Sequence, residues 1–315
     1  MSNLQADPTV GPEGGPVEVL EGATVALGGP RGMAVTRTLP NRRRRMVGAW
    51  CFLDAYGPDD LAGTAGMRVG PHPHIGLQTV SWLVRGEVLH RDSLGNLREV
   101  RPGQLNLMTA GAGISHSEET PRDNSGVLQG VQLWVALPDE ARTGPPAFAH
   151  HADLPVLTTG GLRATVIMGS LGDTTSPART FSPLTGAEIT ADAGAAGVVP
   201  LRADFEYAVL TLDGAALIDG QELKPGPLLY VGEGRTSLRI AAGPATRVLL
   251  LGGEPFAESL VMWWNFVARS HEEIEAARAG WESGTFFGEV HGYDGPALPA
   301  PPMPITRLVP RGRIR

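Results

Sequence analysis

A chain of 315 residues is longer than one hydrophobic core usually serves, so two domains are expected, and 42% hydrophobic residues suffice to fill both. A formal net charge of −7 argues against nucleic acid as a direct partner, and no apolar run approaches the roughly 20 residues of a membrane span. The single cysteine excludes an intramolecular disulfide, the first residues lack the basic-then-apolar build of a signal peptide, and 42 Gly with 27 Pro favour an all-β chain, so a monomeric cytoplasmic protein is expected.

Residues 1–16 are rich in Gly and Pro and poor in apolar groups, which predicts a flexible tail. Val17-Glu-Val19, Ala23-Thr-Val25 and Met33-Ala-Val35-Thr-Arg37 have the alternation of short strands, broken at Gly28-Gly-Pro30, and would begin a first barrel within residues 17–140. The run Arg42-Arg43-Arg44-Arg45 stands directly before the apolar Met46-Val-Gly-Ala-Trp50-Cys51-Phe-Leu and is read as a solvated lead-in to a buried strand. Asp54 and Tyr56 follow it.

Pro71 and Pro73 cannot donate to a strand ladder, so the segment Pro71-His72-Pro73-His74 must be an edge, a rim or a bulge. The alternating strand Leu77-Gln78-Thr-Val-Ser-Trp-Leu-Val follows. Turn signals at Gly86, at Ser93-Leu-Gly95-Asn96 and at Pro102-Gly103 then fold successive strands back on one another. His90 and Asp92 repeat an i, i+2 spacing; two residues do not fill a coordination sphere, and a cross-strand or turn role beside the hairpin tip 92–96 is expected. The stretch closes on Gly113-Ile-Ser-His116-Ser-Glu118.

Side chains alternate faces along a strand, so His72 and His74 point one way, as do His116 and Glu118. Two such pairs facing each other make a four-ligand cage. Three imidazoles and one carboxylate suit a d-block ion such as iron, zinc, nickel, manganese or copper, whereas magnesium or calcium prefers oxygen alone. Structural zinc sites usually carry thiolates, and Cys51 lies outside the stretch, which points to chemistry instead.

Beyond Pro138, Thr143-Gly-Pro-Pro146 and His150-His151 read as a linker, since adjacent histidines on a strand face opposite ways. A second barrel over residues 141–290 is suggested by an echo. Gly214, Pro225-Gly226 and Gly232-Glu-Gly234 repeat the turn order of Gly86, Pro102-Gly103 and Gly111-Ala-Gly113. The echo keeps the turns and loses the ligands, because no histidine or cysteine lies between Ala152 and Ser270. Trp263 and Trp264 are expected to seal a domain interface. Ser270-His271-Glu-Glu273 is a capping box that opens a helix over about 271–280, ended at Gly280, with His271 in its first turn. Residues 291–315, rich in Pro and Arg, read as a tail along the surface.

The wording His72-Pro-His74-x-Gly-x-x-Thr79-Val, Gly86-Glu-Val-x-His90-Arg-Asp92-Ser-x-Gly95, Met108-Thr-Ala-Gly111-x-Gly113-Ile-x-His116-Ser-Glu118 and Gln129-Gly-x-Gln132-Leu-Trp134 resembles the pirin family. The resemblance is dense over residues 41–138. It implies two tandem cupin barrels of the jelly-roll, double-stranded β-helix type, with a short C-terminal helix packed against them, and iron ligands at His72, His74, His116 and Glu118. Two departures stand out: an amide, Gln78, where a carboxylate is common, and Ala55 where relatives tend to carry a bulkier polar residue at the pocket rim.

The function implied is an Fe(II)-dependent dioxygenase acting on quercetin-like flavonols or other enols with dioxygen, in which Glu118 doubles as the base. A metal or redox sensor acting on a protein partner and an oxygen-independent cupin isomerase are the alternatives.

Overall fold

The computed structural model describes Gly15, residues 17–27 and residues 33–314. The tail expected over residues 1–16, apart from Gly15, and the break at Gly28-Gly-Pro30 lie outside the described residues. In chain order the strands are β1 (Glu18–Leu20), β2 (Ala23–Leu27), β3 (Met33–Leu39), β4 (Trp50–Asp60), β5 (Arg68–His74), β6 (Leu77–Arg85), β7 (Val88–Asp92), β8 (Leu97–Val100), β9 (Leu105–Thr109), β10 (Ile114–Glu119), β11 (Val127–Ala136) and β12 (Ala147–His151). They continue as β13 (Val156–Thr159), β14 (Leu162–Leu171), β15 (Thr174–Thr175), β16 (Leu184–Ala191), β17 (Ala196–Pro200), β18 (Glu206–Asp213), β19 (Ala216–Ile218), β20 (Gln221–Leu223), β21 (Leu228–Gly232), β22 (Ser237–Ala242), β23 (Thr246–Gly253), β24 (Val261–Trp263) and β25 (Phe266–Ala268), followed by helix α1 (His271–Glu282). No helix of the described residues is long and apolar enough to cross a membrane.

The strands form two barrels of one design. In the first, a seven-stranded sheet ordered β12-β9-β6-β11-β4-β3-β2 faces a four-stranded sheet ordered β5-β10-β7-β8. In the second, a sheet ordered β1-β21-β18-β23-β16-β14-β13 faces one ordered β17-β22-β19-β20. All these pairings are antiparallel, as expected where alternation rather than continuous apolar runs marks the strands.

The two large sheets pack back to back through one shared core. Leu53, Val80, Val131 and Leu133 from the first meet Ala208, Leu210, Leu249 and Leu251 from the second, all buried. Two tryptophans pin the contact with their indole N–H groups. Trp50 Nε1 donates to the Thr185 and Gly252 carbonyls at 3.1 and 3.2 Å, and Trp82 Nε1 donates to Glu188 Oε2 at 2.8 Å.

Several expectations are corrected here. Strand β1 does not begin the first barrel: Glu18, Val19 and Leu20 pair with Tyr230, Leu229 and Leu228, so the N-terminal segment supplies the edge of the second. Arg44 is not solvated but 4% exposed, held by Glu18 Oε1 at 2.8 Å and lying 3.4 Å above the Tyr230 ring. The second barrel supplies the aromatic face and β1 the carboxylate, neither of which is adjacent in sequence. The stretch at His150-His151 is not a linker, because Ala147–His151 is an edge strand of the first barrel, paired with β9.

Helix α1 starts at its expected cap, with Ser270 Oγ accepting from the Glu273 amide. It runs on to Glu282, past Gly280. The Glu273 carboxylate reaches the Arg269 amide at 3.0 Å, one residue before the cap. The C-terminal segment follows the surface as expected but is tied down: the Leu298 amide donates to the Pro71 carbonyl at 2.8 Å, and Arg311 bridges Leu260.

Candidate metal centre

Strand β5 lies at the edge of its sheet, where its two prolines leave no ladder bond unmade. Strand β10 lies between β5 and β7, with His116 opposite both His72 and Asp92, Ile114 opposite His74, and Glu118 opposite His90. Directly opposed residues share a face, so all four expected ligands, together with His90 and Asp92, line the inside of the barrel. A bulge between His116 and Glu118 shifts the register against β5. Gly76 makes the reversal after His74 possible: its φ is +68°, and a Cβ there would meet the Val267 carbonyl oxygen at 2.1 Å.

The structure brings the expected residues together as two overlapping groups. The ligand atoms of His72, His74 and His116 lie within 4.8 Å of one another, and those of His90, His116 and Glu118 do the same. His116 is common to both. Every one of these side chains is buried.

The outer nitrogens are committed to hydrogen bonds. His72 Nδ1 donates to the Gly70 carbonyl and His74 Nδ1 to the Asn265 carbonyl, each at 2.9 Å, which leaves both Nε2 atoms bare. His90 Nε2 lies 3.0 Å from Asp92 Oδ2, and His90 Nδ1 lies 3.3 Å from His116 Nδ1. With a proton on His90 Nε2 for the carboxylate, His90 Nδ1 accepts from His116 Nδ1–H, and His116 Nε2 is bare as well. His74 Nε2 and His116 Nε2 then face each other at 3.1 Å with no proton to share. Two lone pairs so placed repel unless a cation lies beside them, and this donor set fits a d-block ion.

Burial keeps the imidazoles neutral. It lowers the His72 pKa to about 4, and it holds His74 and His116 well below the ordinary histidine value, with the neighbouring histidines pushing the same way. Burial pushes the Glu118 carboxyl up, against the opposing effect of the Ser81 hydroxyl, which lies 3.0 Å from Oε1.

A cavity of about 400 Å³ opens onto these groups. Phe52, Val69, Trp134 and Leu298 give it apolar walls, and Arg37 and Gln132 give it polar ones. Phe52 and Trp134 are stacked at 4.0 Å, and Trp134 meets the His74 ring edge-on at 5.3 Å.

Other expectations resolve as follows. His90 and Asp92 have the cross-strand and turn roles expected, with Asp92 Oδ1 accepting the Leu94 and Asn96 amides at the hairpin tip. Their hold on His116 was missed, although the His90-x-Asp92 spacing was its signal. Trp264 packs with Trp263 on the local cluster around Phe266 and Ile274, outside the core shared by the barrels, and lines the cavity at a φ of +52° that non-glycine residues rarely adopt. Asn265, which follows it, orients His74. Gln78 faces away from the centre, donating to Thr109 Oγ1 and the Arg179 carbonyl, and Ala55 packs on the shared core, so neither departure touches the cavity lining. His150 bonds Asn106 Oδ1 at 2.7 Å and His271 Nδ1 accepts from the Leu308 amide, both outside the centre.

Two tandem jelly-roll barrels, one of them lined by histidines, define a bicupin. Residues 32–135 match the family model described as Pirin, and residues 186–287 match that of the Pirin C-terminal cupin domain. The chain belongs to the pirin family. It is 47% identical to the "Putative quercetin 2,3-dioxygenase PA1205" of Pseudomonas aeruginosa, over 87% of each chain, and 39% identical to a pirin-like protein of Caulobacter vibrioides, over 79% of this chain and 88% of that one. The crystal structure of a quercetin 2,3-dioxygenase from Acinetobacter baumannii superposes with a TM-score of 0.88 at 42% identity, covering 92% of this chain and 96% of that chain.

Proposed function

We propose that this protein is a dioxygenase for planar enols of the flavonol type, such as quercetin, dependent on Fe(II) held by His72, His74, His116 and Glu118. The observation that carries the reading is the pair of bare imidazole nitrogens at 3.1 Å, buried at the inner end of a cavity of about 400 Å³. Relatives named as quercetin dioxygenases support the substrate class. The cavity favours turnover over sensing, because a sensor needs a metal but no room for a substrate.

The ion would supply a Lewis acid and a one-electron partner for dioxygen. The chain does the rest. Trp134, Phe52 and Trp264, all in the cavity lining, orient a flat ring system and keep water out. Glu118, raised by burial and steadied by Ser81, takes the enol proton on its carboxylate. His90 and Asp92 hold the His116 ring in the orientation that turns Nε2 inward.

Oxygen uptake by Fe(II)-loaded protein given quercetin tests this, with His74→Ala as control. Uptake that requires both substrate and His74 is expected; none from protein with iron demonstrably bound would contradict it.

A further inference from the structure

The inner face of the large sheet carries a file of polar side chains of which the proposed reaction uses only Ser81. Arg37 stands opposite Asp54, Asp54 opposite Gln132, Gln132 opposite Ser81, Ser81 opposite Asn106, and Asn106 opposite His150. Six neighbouring strands each contribute one residue, and direct opposition puts them all on the cavity side. The adjoining row is apolar and flat, with Phe52 opposite Trp134.

Most of the file is internally satisfied. Arg37 forks onto Asp54, with Nε to Oδ1 and Nη2 to Oδ2 both at 2.7 Å, and its guanidinium lies 4.4 Å from the Phe52 ring centroid. The Ser81 hydroxyl lies 3.0 Å from Gln132 Oε1 as well as from Glu118 Oε1. Three donors remain. Asn106 Nδ2 is buried without a partner, and Arg37 Nη1 and Gln132 Nε2 bond to no atom of the described residues, the last two side chains lining the cavity.

Arg37 is the one Lys or Arg in the described lining, and Glu118 the one carboxylate. Their strands lie apart in the sheet: Arg37 is on β3, and the Ser81 that steadies Glu118 is on β6, so the two backbones are three strand spacings, about 14 Å, from each other. Asp54 has no exposed side-chain area and occupies one edge of the guanidinium, while Arg37 is 33% exposed and lines the cavity. A neutral ligand that covered the other edge would desolvate a cation without pairing it.

We propose that the substrate is a flat conjugated enol whose far end carries a carboxylate, and that Arg37 is the residue that selects it. This rests on the enol reading above. The enol oxygen meets Glu118, the ring system lies along Phe52 and Trp134, Gln132 Nε2 donates to an oxygen midway, and the carboxylate caps Arg37 Nη1. Neutral flavonols fill the same space without the last contact.

The test is binding, read anaerobically by quenching of tryptophan fluorescence, so that it does not depend on turnover. The probes are 3-hydroxyflavone-4′-carboxylate and its methyl ester. The acid is expected to bind about tenfold more tightly to the wild-type protein, as a charge-assisted hydrogen bond allows. In Arg37→Gln/Asp54→Asn, which leaves no orphaned charge, that preference should vanish while the ester binds as before. A collapsed cavity would weaken both ligands alike, so stability of ester binding separates selection from packing. Equal affinities in the wild-type protein, a preference that survives the double variant, or no binding of either probe would overturn the inference. Oxygen uptake is scored separately. Uptake with both probes but no preference for the acid sinks the inference and leaves the enol reading; preference without uptake contradicts the enol reading and leaves only the carboxylate contact at Arg37.

Discussion

Apart from the two-residue β15 of the second, the two barrels correspond strand for strand, and they differ in what fills them. Strands β5 and β10 of the first occupy the places of β17 and β22 in the second, in the same order within the small sheet. Where β10 turns His116 and Glu118 inward, β22 turns Leu238, Ile240 and Ala242 into an apolar interior shared with Ile189, Val209 and Leu250. Where β5 brings His72 and His74, β17 brings Val199. One architecture thus yields a histidine-lined interior or a packed core according to a handful of inward positions. The second barrel gives the first something to lean on: its large sheet buries the outer face of β4, β6 and β11, which frees their inner face to carry polar groups.

The largest effect should come from His116→Ala. Because His116 belongs to both ligand groups, metal binding measured by elemental analysis after loading should be abolished, with circular dichroism unchanged. The converse change in the second barrel, Ile240→Ala, should cost about 2–4 kcal/mol in chemical unfolding by opening a cavity, while the metal content stays at wild-type level. If both changes struck metal and stability equally, the division of labour would be wrong.

A smaller effect is expected for His90→Phe, which keeps the ring stack on Phe148 but removes the acceptor for His116 Nδ1–H. Metal affinity by competition titration should fall roughly 10–100-fold. Acid should then separate the barrels. In the metal-free protein His72 is neutral down to about 4, while an unfolded histidine takes up its proton near 6.5. Between those values the unfolded chain binds more protons, so stability falls as the pH falls. Hydrogen exchange should show β5 and β10 opening first, since the second barrel has no histidine. Least of all should change at Cys51: burial pushes its thiol up to about 12, and iodoacetamide should label it only after unfolding.

Much of the centre was legible in the sequence because it follows from local periodicity. The i, i+2 pairs at His72/His74 and His116/Glu118 fix their faces within one strand each, and the capping box at Ser270 fixes the start of α1. What escaped depended on register between distant strands. The role of His90 needs β7 beside β10; the burial of Arg44 needs β1 and Tyr230 beside it; the crossing of β1 into the second barrel skips two hundred residues of chain. The file from Arg37 to His150 takes one residue from each of six strands, so no window of sequence displays it.

The most direct test of the account is anomalous diffraction from crystals of the protein loaded with Fe(II). One peak is predicted, within bonding distance of His72 Nε2, His74 Nε2, His116 Nε2 and the Glu118 carboxylate, with none inside the second barrel. A fully loaded protein whose peak lay elsewhere, or bonded to fewer than three of these residues, would contradict it.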